Sequence, residues 1–152
     1  MIAVVQRVTK ASVEVSEVGV VGEINHGLCV LACIVEGDTE RDLSWMATKI
    51  ARLRIFPNDE GRFDLNSEEV EGEVLVVSQF TLAGDCNKGN RPSFIRAARP
   101  ERAEPMLLDF VEKLQRDHLV RVQTGRFGAS MKVRLENDGP VTVLLDSSDD
   151  GR

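Results

Sequence analysis

Histidine and cysteine are scarce in this chain, and long apolar runs are missing. The only histidines are His26 and His118, and the only cysteines are Cys29, Cys33 and Cys86. A zinc site wants closely spaced cysteine pairs or cysteines joined by histidines. Neither pattern occurs, so no metal and no other cofactor is expected. Cys29 and Cys33 share the apolar run "GLCVLACIV". Four residues apart on a strand they face the same way but lie too far apart to bridge, so they read as buried thiols. No apolar run approaches the roughly 20 residues of a membrane span. The N-terminus alternates in polarity and lacks the basic start, apolar block and small-residue cleavage site of a signal peptide. A cytoplasmic protein is expected.

What is present is one domain's worth of chain: 152 residues, 42% hydrophobic and 29% charged, enough for a real core. A single domain over 1–152 is expected, with about 147–152 as a frayed tail. The net charge is −6 and the pI near 5.0, which argues against a broad nucleic-acid footprint. The stretch "CNKGNRPSFIRAARPER" is a local exception: Lys88, Arg91, Arg96, Arg99 and Arg102 stand against the single acid Glu101. It reads either as one localised phosphate contact or as a solvated charged face.

"IAVVQRVTKASVEV" alternates as a half-buried strand does, and "GVVGEI" and "GLCVLACIV" follow as strands, the second central. Asp38 reads as the cap of a helix whose apolar face is Leu43, Met46, Ala47, Ile50 and Leu53. "RLRIF" reads as a strand, "PNDEG" as a turn, "RFDLN" as a short strand and "EVLVVSQFTL" as a strong strand. A second helix spans roughly Glu101 to His118, and the segment from Leu119 to Ser147 reads as three strands. The fold class is α/β: a single compact domain of mixed β-sheet layers with two helices on one side.

Two stretches carry candidate chemistry. In "SQFTLAGD", Ser78 and Thr81 are possible nucleophiles and Gln79 a possible substrate ligand, at a strand end where α/β proteins tend to place sites. A hydroxyl is a weak nucleophile without a base, and neither histidine is near in sequence; the alternative is a strand cap satisfying backbone groups. In "NDGPVT", Pro140 falls where a strand should donate an N–H, which proline lacks. The Gly139–Pro140 bond is a candidate cis bond forming a stiff corner, or an ordinary turn.

Together "SQFTL" and "NDGPVT", with "AVVQRVTKASVEV", "GEINHGLCVLACIVEGDTERD", "KIARLRIF", "KGNRPSF" and "FGASMKVRLENDGPVTVLLDS", resemble the D-aminoacyl-tRNA deacylase family over nearly the whole chain. The resemblance implies a homodimer that hydrolyses the ester joining a D-amino acid, or glycine mischarged on alanine tRNA, to the terminal adenosine. This is chiral proofreading in translation quality control. It implies tRNA as partner, through its aminoacylated 3′ end, with neither DNA nor a membrane. Gly139–Pro140 would enter the partner subunit's site and exclude L-amino acids, steadied by Arg7. Ser78, Gln79, Phe80 and Thr81 would form the catalytic pocket. Phe94 and Met131 would contact adenine, and Lys88, Arg91 and Arg96 the tRNA. The RNA's 2′-OH would assist the reaction, with backbone N–H groups near Phe80 and Thr81 binding the oxyanion. Ala83 and Asn90 depart from the family's pattern, where a bulkier and a more basic residue are expected. A non-catalytic dimeric RNA-binding module and a conventional Ser/Thr hydrolase of small D-amino-acid esters are the competing readings.

Overall fold

The computed structural model describes residues 1–149. In chain order it forms β1 (Ile2–Val15), β2 (Gly19–Ile24), β3 (Gly27–Cys33), α1 (Glu40–Ala51), β4 (Phe56–Pro57), β5 (Phe63–Leu65), β6 (Glu73–Ser78), α2 (Pro100–Asp117), β7 (Arg121–Thr124) and β8 (Met131–Asp146). Tight 3-10 turns occupy Phe80–Ala83 and Ser147–Asp149. The main sheet runs β2-β1-β3-β6-β7, and β8 lies along β1. β1 pairs antiparallel with β2, β3 and β8, whereas β3, β6 and β7 are mutually parallel. The sheet is therefore mixed, as the sequence pattern predicts.

Side-chain alternation on the strands builds two cores. Leu28 and Val30 of β3 and Val74 and Val76 of β6 face the helices, meeting Leu43, Met46 and Ile50 of α1 and Phe110, Val111 and Leu114 of α2. Both helices thus cover one side, burying the apolar stripe that stabilises each of them. Cys29, Leu75 and Val77 point the other way, into a second core with Val8, Val13 and Ile24. β2 curls over to pack on β6 and β7. The approach is close: a Cβ at Gly22 would lie 2.6 Å from the Thr124 carbonyl oxygen, so only glycine fits.

Several expectations are corrected. Asp38 does not cap α1. Its carboxylate takes the buried Met1 ammonium at 2.5 Å and the Val35 N–H at 2.7 Å, leaving Thr39 as the N-cap. The Asp42 carboxylate reaches back to the Thr39 N–H at 2.8 Å, completing a capping box. "RLRIF" contributes only Phe56 to a strand, because the Ile55 carbonyl accepts instead from the Arg7 guanidinium. Helix α2 starts at Pro100, where the missing N–H is harmless, and carries Pro105 in its second turn. Ser147, expected in a frayed tail, is buried: its hydroxyl accepts from the Met1 ammonium at 2.6 Å and donates to Asp42 at 2.8 Å. The tail expectation for 150–152 lies outside the described residues.

The last third holds two strands rather than three. β8 continues through "NDGPVT" and pairs with β1 on both sides of it. Gln6 opposes Thr142 and Val8 opposes Asn137, so Asp138, Gly139, Pro140 and Val141 together face Arg7 alone. The motif is an outsized bulge pushed out of an unbroken ladder, not a chain reversal.

Candidate active-site cleft

The parallel pair β3 and β6 ends side by side, and the polar residues that follow β6 open a cleft of about 590 Å³. Its floor comes from Ala32, Cys33, Val77 and Ser78, and its walls from Gln79, Phe80 and Phe94. Phe127–Ala129 and the start of β8 (Met131, Val133) close a further side, and the first turns of α2 another. Of the residues singled out in the sequence, Ser78, Gln79, Phe80, Phe94 and Met131 converge here. Phe80 and Phe94 meet edge to face with centroids 5.1 Å apart, although Phe80 remains 58% exposed. Apolar walls with a few polar groups at one end are the usual make-up of a small-ligand site.

The local backbone explains the polar end. The strand stops at Ser78, and Phe80–Ala83 winds into a 3-10 turn with Gln79 as its cap. The Leu82 N–H bonds the Gln79 carbonyl at 3.2 Å. The two preceding N–H groups, on Phe80 and Thr81, therefore have no acceptor inside the turn. Thr81 lies beside the cleft rather than in its lining, and its hydroxyl accepts a hydrogen bond from the Gln79 amide. Ala83 is buried and forms no part of the cleft wall.

Among the described residues, neither histidine stands next to these hydroxyls. His26 packs edge-on against Phe56, and His118 contacts the Thr48 hydroxyl at 3.3 Å. The ionisable side chains lining the cleft are Cys33 and Arg99. Burial pushes the Cys33 thiol above its ordinary range, so it is protonated near neutrality. Burial likewise pushes Cys29 up to about 11. Cys86 is exposed. Alkylation of the native protein at pH 8 is therefore expected to label Cys86 alone, and all three thiols after denaturation, as read by intact mass. Rapid native labelling of Cys33 would show a far more open cleft floor than this geometry allows.

The Gly139–Pro140 corner belongs to a different part of the chain's surface. Its peptide bond is cis, and both residues are exposed. Arg7, 7% exposed, holds its base: Nε donates to the Asp138 carbonyl at 3.1 Å and lies 3.2 Å from the Asp138 carboxylate. Another guanidinium nitrogen donates to the Ile55 carbonyl at 2.5 Å, and the Phe63 ring lies 5.5 Å from the guanidinium carbon. Asn137 closes the neck, accepting from the Val141 N–H at 2.8 Å and donating to the Val141 carbonyl at 3.2 Å. None of Arg7, Gly139 and Pro140 lines the cleft. On β1 and β3 the two sites are separated along the strands: Arg7 opposes Leu28, whereas the cleft begins at Ala32. At about 3.4 Å per residue that is roughly 14 Å.

The basic loop spreads its cations. Lys88 and Arg91 are exposed on a loop whose neck is fixed by paired Asp85–Ser93 bonds of 2.8 and 2.9 Å. Arg99 lines the cleft, Arg96 lines a separate recess beside Met1 and Asp38, and Arg102 is engaged by Glu36 and the Asp38 carbonyl. Sequence reasoning assigned no role to Cys33 or to Phe127–Ala129. The available signal was "FGAS" at the head of the last matching stretch.

Comparison with known proteins bears on this arrangement. The family model described as D-Tyr-tRNA(Tyr) deacylase matches residues 4–146. A D-aminoacyl-tRNA deacylase of Magnetococcus marinus is 53% identical over 146 residues, covering 96% of each chain. That of Thermosipho melanesiensis is 49% identical over 147 residues, covering 97% of each. Among solved structures, one titled c-Myc DNA Unwinding Element Binding Protein is 41% identical, with a TM-score of 0.90 over 96% of this chain and 98% of that one. A probable eukaryotic D-amino acid tRNA deacylase shares the fold at 17% identity, with a TM-score of 0.83 over 95% and 97% of the two chains. With the family model spanning the full sheet and both helices, and relatives near half identity end to end, this chain belongs to the D-Tyr-tRNA(Tyr) deacylase family.

Proposed function

We propose that this chain clears D-amino acids from tRNA by hydrolysing the ester at the terminal adenosine, and that it discriminates by exclusion rather than by gripping the D side chain. The chain is a hydrolase of the D-aminoacyl-tRNA deacylase family. The cleft takes the aminoacyl-adenosine end, with Phe94 and Met131 against the base and Ser78, Gln79, Phe80 and Thr81 around the ester. Lys88, Arg91 and Arg96 lie on the side from which the RNA backbone approaches. The chain works as a cytoplasmic homodimer. Each subunit's Gly139–Pro140 corner, steadied by Arg7, enters the other's cleft where an L side chain would lie. Glycine on alanine tRNA has no side chain to exclude and is released too. What supports a filter supplied by a second copy is that the chain's own corner lies about four residues away from this cleft along the strands.

The observation that carries the mechanism is a cleft lining with no histidine or carboxylate among the described residues, beside Phe80 and Thr81 N–H groups that have no acceptor inside their turn. Such donors stabilise the tetrahedral oxyanion, and the proton handling falls to the vicinal 2′-OH of the substrate. Thr81→Ala is then expected to keep turnover of D-tyrosyl-tRNA within about tenfold of the parent. A 2′-deoxyadenosine terminus should lower it by the roughly 10²–10⁴ attributed to general acid–base assistance. Loss of turnover in Thr81→Ala, with an acyl-enzyme trapped on Thr81 in the parent, would replace this mechanism with a covalent one.

A further inference from the structure

A second basic surface lies away from both the cleft and the loop of Lys88 and Arg91. The outer face of α1 and the segment after it line a groove of about 680 Å³. Its cations are Arg41, Lys49, Arg52 and Arg54, and its lining contains no carboxylate, on a chain of net charge −6. Arg41, Trp45, Lys49 and Arg52 recur at three- and four-residue spacing, which puts them in one stripe about 17 Å long. All four cations are exposed, and Trp45 is half-buried with the Lys49 ammonium 5.4 Å from its ring centre. Arg54 is held in place by Asp64 through its carboxylate and carbonyl. The stripe runs to the C-terminal end of α1, where the helix dipole repels anions. Any anion there must be held by side chains, and Lys49 and Arg52 beside the Trp45 face suit the phosphates and flat bases of a nucleic-acid strand.

The position of this groove selects the strand. Arg54 adjoins Ile55, whose carbonyl is bonded by Arg7, and the Arg7 guanidinium lies 3.4 Å from where a Gly139 Cβ would sit. Arg7 therefore joins the corner to the segment that ends the groove. We infer that the α1 groove binds the phosphodiester backbone of the tRNA whose aminoacylated end occupies the partner subunit's cleft, with Lys49 and Arg52 as its principal phosphate contacts. The inference rests on the shared-site reading above: if the corner enters a second copy's cleft, the adjoining groove flanks that cleft's entrance. RNA entering there passes over the cationic stripe of one subunit to reach the ester in the other.

The test uses the full chain carrying Lys49→Glu and Arg52→Glu together, both exposed positions outside the core, with melting temperature checked against the parent. Affinity for uncharged tRNA is measured from low to moderate salt, and kcat/KM is measured on D-tyrosyl-tRNA and on 3′-(D-tyrosyl)adenosine. Losing two phosphate contacts should lower tRNA affinity at least tenfold at low salt. It should also flatten the log–log salt slope by about two. The small ester should be hydrolysed as by the parent, while kcat/KM on D-tyrosyl-tRNA falls through KM. Unchanged tRNA affinity and salt slope in the double variant would overturn the groove while leaving the deacylase reading intact. A parent enzyme that hydrolyses neither D ester would overturn the deacylase reading itself. Equal losses on the small ester and the tRNA would place these residues in the fold of the site rather than on an RNA path, and would also overturn the groove.

Discussion

Replacing Gly139 with alanine is expected to lower kcat/KM on D-tyrosyl-tRNA by about 100-fold and to raise the ratio of L- to D-ester hydrolysis. Gly139 has a φ of 141°, a backbone conformation that L side chains rarely adopt. An added Cβ would sit 2.6 Å from Val141 Cγ2 and 2.9 Å from the Val141 N. Val141 is 8% exposed and packs into the helix-side core, so it has no room to yield. The displacement falls instead on the corner. If that corner defines the position of the α-carbon in the partner's cleft, a shift of about 1 Å is worth roughly two orders of magnitude in rate. It also opens the space that rejects the L side chain. The check is deacylation of matched D and L esters by the variant under single-turnover conditions. A variant with parental selectivity would remove the corner from the mechanism.

Arg7→Ala has the second large expected effect, and it reaches stability as well as selectivity. The Arg7 guanidinium links the corner to the segment before β4, donating to the carbonyls of Asp138 and Ile55. Removing it leaves two carbonyls without that donor and a cavity under Phe63. At about 1–3 kcal/mol for each polar group left unsatisfied, a loss near 3 kcal/mol is expected. For a chain of this size that is a Tm roughly 10 °C lower. With the base of the bulge freed, discrimination against L esters should weaken even at temperatures where the variant is folded. Arg7→Lys should recover part of the stability and little of the selectivity, because one ammonium cannot span both carbonyls in the planar fork of the guanidinium. Thermal denaturation and the D/L ratio, measured on both variants, separate the two contributions.

The parts of the fold that declared themselves in the sequence are those governed by local periodicity. β1, β3 and β6 are marked by alternation or unbroken apolar runs, and α1 and α2 by their 3- and 4-residue stripes. What stayed hidden depends on pairing between distant segments. "NDGPVT" has every local mark of a turn, yet both its flanks are claimed by β1, so the ladder continues past it and four residues stand where one partner residue does, with Gly139 and Pro140 exposed. Nothing within the motif announces that its partner lies more than 130 residues earlier. Asp38 has the chemistry of a cap and is diverted by the Met1 ammonium, a contact no window around residue 38 contains.

The candidate site shows the same division. Ser78, Gln79 and Thr81 stood out because polar residues end an apolar strand, whereas Phe80 came with the family resemblance. Phe94 and Met131 came only with the family resemblance, and they converge on the same cleft. Phe127–Ala129 went unremarked because a small turn carries no chemical signature. The α1 cations read as the ordinary polar face of an amphipathic helix. Only the folded chain ties Ile55, the residue after Arg54, to the corner through Arg7, and so gives that face a direction.

The central claim is that selectivity comes from excluding the L side chain, and matched D- and L-tyrosyl-tRNA test it most directly. Release of amino acid is followed for both esters with the purified parent protein, with EDTA added in parallel. The account predicts rapid release from the D ester, unaffected by EDTA, and none above the uncatalysed rate from the L ester. Comparable release from both would contradict it.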